Sequence, residues 1–165
     1  MSIKGYVWVF GADIDTDQIY PGKYLPITDK DEMARHAMEG AEGGEEFIKN
    51  VKQGDFLVAG KNFGCGSSRE HAAIALKGIG ITVIIARSFA RIFRRNAVNT
   101  GLVLLESDEI GILKQGNMIE VDPLVGTITD SNRTIVIHAR TVSILEMQIM
   151  EAGGLLSFLK AKYKR

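Results

Sequence analysis

The run KNFGCGSSREHAAIALKGIG, Lys61 to Gly80, concentrates groups that can do chemistry. Gly64 and Gly66 let a backbone turn sharply or come close to a ligand. Ser67 and Ser68 carry hydroxyls, Arg69 a guanidinium and His71 an imidazole. A guanidinium offers a planar fork of N–H donors that fits a carboxylate with two parallel bonds. The alanine-rich stretch that follows predicts a helix, whose first amides and partial positive charge favour an anion. A serine hydroxyl among such groups gives up its proton at less cost than in water. That chemistry is carboxylate binding beside a basic serine. A structural reading competes with it. Ser67-x-x-Glu70 has the spacing of a capping box, with Ser67 as N-cap and Glu70 as its reciprocal partner. On this run alone both readings stay open.

Other chemistries fit less well. The run has neither the Gly-Lys-Ser/Thr order of a phosphate loop nor the G-x-G-x-x-G spacing of a dinucleotide site. A nucleophile elbow needs G-x-S-x-G, and here Arg69 follows the two serines. His71 lies on the same predicted helix as the serines and need not face Ser67, so a hydrolytic triad is poorly supported.

Charge and cysteine usage narrow the field further. Lys+Arg and Asp+Glu both number 20, so no bulk field draws the chain to nucleic acid or a membrane. Residues 1–55 hold six basic and eleven acidic side chains, whereas residues 56–105 hold seven basic and only Glu70 as an acid. That imbalance suggests a local anion site in the central segment. Arg91, Arg94 and Arg95 form a basic face with sparse aromatic interleaving, better read as paired or interface arginines than as an RNA surface. Cys65 is the sole cysteine, so this chain alone builds neither a disulfide framework nor a metal cluster. It predicts a reducing compartment. The N-terminus does not read as a signal peptide, and no apolar run approaches the ~20 residues of a membrane span. A soluble cytoplasmic protein is expected. His36 and His138 have no ligand-spaced partners and read as structural, and Met147 and Met150 read as core.

The elements that must position these groups follow from periodicity and turn residues. IKGYVWVFG reads as a strand and ADIDTDQIYPGKYLPITD as a long loop, a length more often functional than idle. DKDEMARHAM predicts a short helix ended near Gly40, and EEFIKNV another helical turn or two. DFLVAG, ITVIIARS and LVLLE are apolar strands. They are separated by the helices SSREHAAIALKGIG and FARIFRRNAVNTG, the second closed by Gly101. That alternation predicts right-handed parallel crossovers. Residues 117–139 then predict an antiparallel meander, with turns at Pro123–Gly126 and Asp130-Ser131-Asn132. Helices broken at Gly153-Gly154 end the chain. The fold class is α/β with mixed parallel and antiparallel strands and flanking helices, in one domain over residues 1–165.

Three stretches, DIDTDQIYPGKYL from Asp13, NFGCGSSREHA from Asn62 and IIARSFARIFRRNAVNTGL from Ile84, resemble in order the signature of the aconitase superfamily swivelling domain. EAGGLLSFL near the end also matches, and the likeness spans roughly Ile3 to Leu105. A free-standing chain of this length resembles the small subunits of the isopropylmalate dehydratase and archaeal homoaconitase family. The resemblance implies a swivelling β/β/α domain that closes like a lid over a large subunit, whose three cysteines hold a [4Fe–4S] cluster. It implies no cofactor and no metal site in this chain, and no activity without the partner. By the same resemblance Ser67 matches the base that removes the proton next to a carboxylate. Ser68 and Arg69 match groups that bind substrate carboxylate, and Asp17 matches an acid that orders the arginine. The cluster iron would act on the departing hydroxyl as a Lewis acid. The implied reaction is dehydration of a hydroxy diacid to an enoic diacid, then rehydration with hydroxyl and hydrogen exchanged.

In that family the loop YLPITD, Tyr24 to Asp29, contacts the variable substituent of the substrate. Homoaconitases resemble YLRTT here, with an arginine for a third carboxylate. Leu25, Pro26, Ile27 and Thr28 offer no such charge, and a buried carboxylate without a partner is expensive. They suit an isopropyl group, each buried carbon contributing ~0.8 kcal/mol. The expected substrate is 2-isopropylmalate, and the expected pathway leucine biosynthesis. Citramalate-type and homocitrate-type acids are the enzymatic alternatives, and a binding module without activity is the rival from another class. Isolated chains could also associate with one another through the surface a large subunit would cover.

Overall fold

Residues 1–130 and 135–164 are described by the computed structural model. Four strands form its parallel half: β1 (Ile3–Val9), β2 (Phe56–Ala59), β3 (Val83–Ala86) and β4 (Val103–Glu106). Three more, β5 (Met118–Asp122), β6 (Thr127–Asp130) and β7 (Ile135–His138), form an antiparallel meander. The described strands join in one sheet of order β4-β3-β2-β1-β5-β6-β7, with β1 parallel to β2 and antiparallel to β5. β1 is thus the seam between the two halves.

Every residue of β2 and β3 is buried, which is why they read as unbroken apolar runs rather than alternating ones. Leu57, Ala59, Ile84, Ala86 and Leu104 point into one core, shared with the helices. The alternate residues Phe56, Val58, Val83, Ile85, Val103 and Leu105 enter a second core. Ile119, Val121, Ile128 and Ile137 of the meander line that same second core. The sheet therefore curls, and its antiparallel half covers one face of its parallel half.

The helices α1 (Thr16–Ile19), α2 (Lys30–Ala34), α3 (Gly44–Asn50), α4 (Glu70–Ile79) and α5 (Arg91–Thr100) precede the meander, and α6 (Ile144–Glu151) and α7 (Leu155–Tyr163) follow it. α4 and α5 end on Gly80 and Gly101 at φ 113° and 90°, a left-handed closure that glycine adopts freely. Lys77 Nζ donates to the Gly101 carbonyl at 2.9 Å and ties the two helices together. Met147 is buried and Met150 packs partly buried against the second core. Arg94 pairs with Glu106 and Glu146, while Arg91 and Arg95 are exposed.

Three sequence expectations need correction. The stretch after β1 is not one long loop, because it folds into α1 and a short 3-10 helix over Gly22–Tyr24. Asp15 and Gln18 close a capping box on α1, and that satisfied start outweighs the turn residues around it. The second helix is shorter than DKDEMARHAM, covering Lys30–Ala34 before the chain turns. The third correction concerns Ser67, which is not an N-cap. α4 starts at Glu70, with Arg69 in the N-cap position at φ −120°, ψ 104° and no side-chain cap. Of the expected turn at Asp130-Ser131-Asn132, Asp130 ends β6, and Ser131 and Asn132 lie outside the described residues, which resume at 135.

Candidate functional site

The loops that leave the carboxyl ends of β1, β2 and β3 are laced together by backbone bonds. Gly64 N–H donates to the Ile14 carbonyl and Thr16 N–H to the Cys65 carbonyl, both at 2.8 Å. On the other side Phe63 N–H donates to the Ser88 carbonyl at 3.0 Å, and Ala90 N–H to the Phe63 carbonyl at 2.9 Å. Residues 63–65 thus run as a middle rung between two loops, and the chain turns at Gly64 and Gly66 before α4 begins at Glu70. Gly64 has φ 80°, and a Cβ there would overlap the Phe93 ring, so only glycine fits. Ligand sites in open α/β sheets lie outside the carboxyl ends of the parallel strands, as these loops do.

Ser67 and Ser68 are exposed at the end of this rung. Among the described residues neither hydroxyl has a hydrogen-bond partner, and no side chain caps the start of α4. The first amides of α4 are free of side-chain acceptors, which suits an incoming anion. Arg69 turns its side chain back toward α1. Its Nη1 donates to Asp17 Oδ1 at 2.7 Å and to the Tyr20 carbonyl at 3.1 Å. Two of the five guanidinium N–H donors are used there, and the Nε–Nη2 edge keeps the other three. Gly22 N–H donates to the same Asp17 oxygen at 2.8 Å, and a Cβ on Gly22 would lie 3.3 Å from Arg69 Nη2. Glycine there leaves the free edge of the fork uncrowded.

The Arg69 hydrogen bond, with help from the Gly22 amide, holds the Asp17 carboxyl below the usual carboxylate range. A lowered value means the pair is fully formed above the ordinary aspartate range and is lost only as the pH falls through that lowered value. Cys65 behaves oppositely. Partial burial pushes its thiol up, and the Asp15 and Asp13 charges push it further. It stays protonated at neutral pH, a poor nucleophile and a poor metal ligand. Iodoacetamide at neutral pH is expected to label it more slowly than free cysteine. Labelling at the free-cysteine rate would contradict this.

Asp17 and Arg69 meet although 52 residues apart, and Ser67 and Ser68 lie in the loop that leads into Arg69. Leu25–Thr28 follows the 3-10 helix that carries Gly22. Leu25 is 39% exposed, Pro26 and Thr28 are exposed, and Ile27 packs partly buried against the helical core. Sequence reasoning missed Tyr20 and Gly22, whose main-chain groups hold Arg69 and Asp17. No side-chain pattern reports such contacts. His71 stacks on Tyr20 with centroids 5.5 Å apart. A separate cleft of about 460 Å³ shares Gly60 and Lys61 with the loop but is lined by neither Ser67 nor Arg69, so the candidate site is an open surface instead. Among the described residues no group of three or more His, Cys, Asp or Glu side chains is placed to hold a metal. No helix among them is long and apolar enough to cross a membrane.

Comparison with known proteins places this geometry in a family. Residues 9–109 match the aconitase C-terminal domain. A 3-isopropylmalate dehydratase small subunit from Methanopyrus kandleri is 49% identical over 99% of this chain and 95% of its own length. A methanogen homoaconitase small subunit from Methanocaldococcus jannaschii is also 49% identical, over 98% of this chain and 94% of its own. A solved structure of 3-isopropylmalate dehydratase from Methanocaldococcus jannaschii superposes with a TM-score of 0.90 at 48% identity, covering 98% of this chain and 95% of that one. The curled mixed sheet, the shared length and these identities establish that the chain belongs to the aconitase C-terminal domain family.

Proposed function

We propose that this chain is the small subunit of a hydro-lyase that converts 2-isopropylmalate to 3-isopropylmalate. It would act as one swivelling domain, over residues 1–165, closing on a large subunit. The reading rests on one arrangement: the Arg69 fork, held by one edge on Asp17 and the Tyr20 carbonyl, two residues after the exposed Ser67 in the loop that leads into an uncapped helix start. The free guanidinium edge and Ser68 take a substrate carboxylate. Ser67, as its alkoxide, takes the proton from the adjacent carbon, and the hydroxyl on the neighbouring carbon leaves as water with a proton supplied by solvent. Adding water back with hydrogen and hydroxyl exchanged gives the isomer. A [4Fe–4S] cluster belongs to the large subunit in this reading. With Cys65 as the sole cysteine, the residues of this chain do not fit as its ligands, and no step assigned here uses it.

Identity does not choose the substrate, since dehydratase and homoaconitase relatives stand equally near at 49%. The loop Leu25–Thr28 carries that choice. It has no cation for a third carboxylate, and Leu25 and Pro26 present an exposed apolar surface backed by the partly buried Ile27. A site built for isopropyl rejects methyl by only ~1–3 kcal/mol, so citramalate is a slower substrate rather than an excluded one.

A substrate panel on the complex with its large subunit tests this reading, using isopropylmalate, citramalate, homocitrate and citrate. Isopropylmalate should have the highest kcat/KM. Pro26→Arg should raise the homocitrate-to-isopropylmalate ratio of kcat/KM by about 10²-fold, the gain of a charge-assisted bond plus the lost apolar fit. An unchanged ratio would remove the loop from specificity, and no turnover of any acid would favour the binding-module alternative.

A further inference from the structure

The loop that carries the proposed specificity is short and largely exposed, yet its leading end is held by side chains. Tyr24, the last residue of the 3-10 helix, is tied at three places. Its carbonyl accepts from the Tyr20 hydroxyl at 2.7 Å, and also from the Ile27 amide at 3.0 Å. Its ring stacks on His36, with centroids 3.6 Å apart and planes 16° from parallel. Its hydroxyl donates to Glu39 Oε1 at 2.6 Å. The other Glu39 oxygen meets His36 Nδ1 at 2.6 Å, so carboxylate, ring and phenol close a triangle. Lys23 Nζ lies 3.6 Å from Glu39 Oε1 and 4.8 Å from the centre of the Tyr24 ring.

His36 and Glu39 come from the turn after α2, outside the loop itself. That turn is fixed in its own right. Met38 is fully buried at φ 64°, and its N–H donates to the Ile19 carbonyl at 2.7 Å. The far end of the loop is pinned by Asp29, which caps α2 by accepting from the Glu32 amide at 2.8 Å. Burial pushes the Glu39 carboxyl up, but the Tyr24 and His36 hydrogen bonds outweigh it and leave it below the usual range. The carboxylate is thus charged where it receives those bonds.

We infer that Tyr24, His36 and Glu39 are positioning residues that set substrate discrimination by fixing where Leu25–Thr28 stands. Discrimination between side groups one or two carbons apart needs a wall that does not yield. A loop free to move inward for a smaller group, or outward for a larger one, would accept both. Holding the loop in advance also removes the entropy of ordering it when substrate binds. The same Tyr20 that supports Tyr24 through its hydroxyl supports Arg69 through its carbonyl, so the loop and the carboxylate fork share one post.

The inference rests on the proposed role of Leu25–Thr28, and the experiment separates the two. Glu39→Gln and Tyr24→Phe are made in the complex with the large subunit. Tyr24→Phe keeps the ring on His36 and removes only the phenol. In each variant the kcat/KM ratio of isopropylmalate to citramalate should fall about tenfold, through a raised KM for isopropylmalate, while its kcat moves by less than about twofold. In the isolated chain the Leu25 and Ile27 amides should exchange with deuterium faster. An unchanged ratio in both variants, even with a lowered Tm, overturns the inference and leaves the triangle a purely structural feature. A wild-type complex that does not discriminate between the two acids overturns the loop assignment beneath it as well.

Discussion

Ser67→Ala should leave the fold intact and lower kcat by about 10²–10⁴-fold in the complex, the range expected when a positioned general base is removed. The two halves of that expectation have separate grounds. Ser67 is exposed and its hydroxyl makes no hydrogen bond among the described residues, so the fold loses nothing that holds it. Surface substitutions of that kind stay within about 0.5 kcal/mol, which keeps Tm within ~2 °C. A serine serving as N-cap would behave differently. Its loss would destabilise by about 0.5–2 kcal/mol without touching chemistry. Equal Tm with lost turnover identifies the base, and lowered Tm with full turnover identifies the cap. Because α4 starts at Glu70, the first outcome is expected. Ser68→Ala gives the internal comparison. If Ser68 only binds carboxylate, its loss should appear mainly in KM.

The capping-box reading failed for a reason that lies outside the run itself. The spacing of Ser67 and Glu70 is that of a cap, but residues 63–65 are bonded to two neighbouring loops, the chain turns at Gly66 with φ 98°, and Arg69 is still extended, so the helix starts only at Glu70. Those bonds join segments far apart in sequence, and no local pattern reports them. The same spacing in Asp15-x-x-Gln18 does close a capping box, although Asp15 stands in the same inter-loop bridge, because there the helix starts at the next residue, Thr16. The prolines and aspartates around it had suggested only a loop. What local chemistry controls was legible. Val83–Ala86 read as a strand buried on both faces because it is one, and Gly101 ended a helix because only glycine closes it so readily. The curl that lays the meander over the parallel half was not legible, since Ile119 and Ile137 alternate as they would in any half-buried strand. Within the site, Ser67 to Arg69 stood out by composition. The Tyr24–His36–Glu39 triangle did not, because its members are spread over a loop and the turn after a helix.

Arg69→Lys is the second large effect expected, and it tests geometry rather than charge. The guanidinium is 17% exposed and divides its donors: one edge to Asp17 and the Tyr20 carbonyl, the other free. A lysine ammonium keeps the charge but has three donors on one atom, and cannot hold Asp17, a main-chain carbonyl and both oxygens of a carboxylate together. Loss of a two-pronged charge-assisted contact should lower kcat/KM by about 10²-fold or more, mostly through KM if the contact is equally strong in the ground and transition states. Asp17→Asn should do less. The amide oxygen can still accept from Arg69 and from the Gly22 amide, and the site is open to solvent, where a lost charge is screened. In the double variant the Asp17 change should add little, because a residue that acts by holding Arg69 has nothing left to hold. Fully additive losses would instead mean that Asp17 meets the substrate on its own. The pH dependence gives an independent check. With Asp17 held below the ordinary range by Arg69, the wild-type complex should keep its affinity through mildly acidic pH, and weaken only once Asp17 begins to protonate. Arg69→Lys removes the partner that holds that value down, so its acid limb should move toward higher pH.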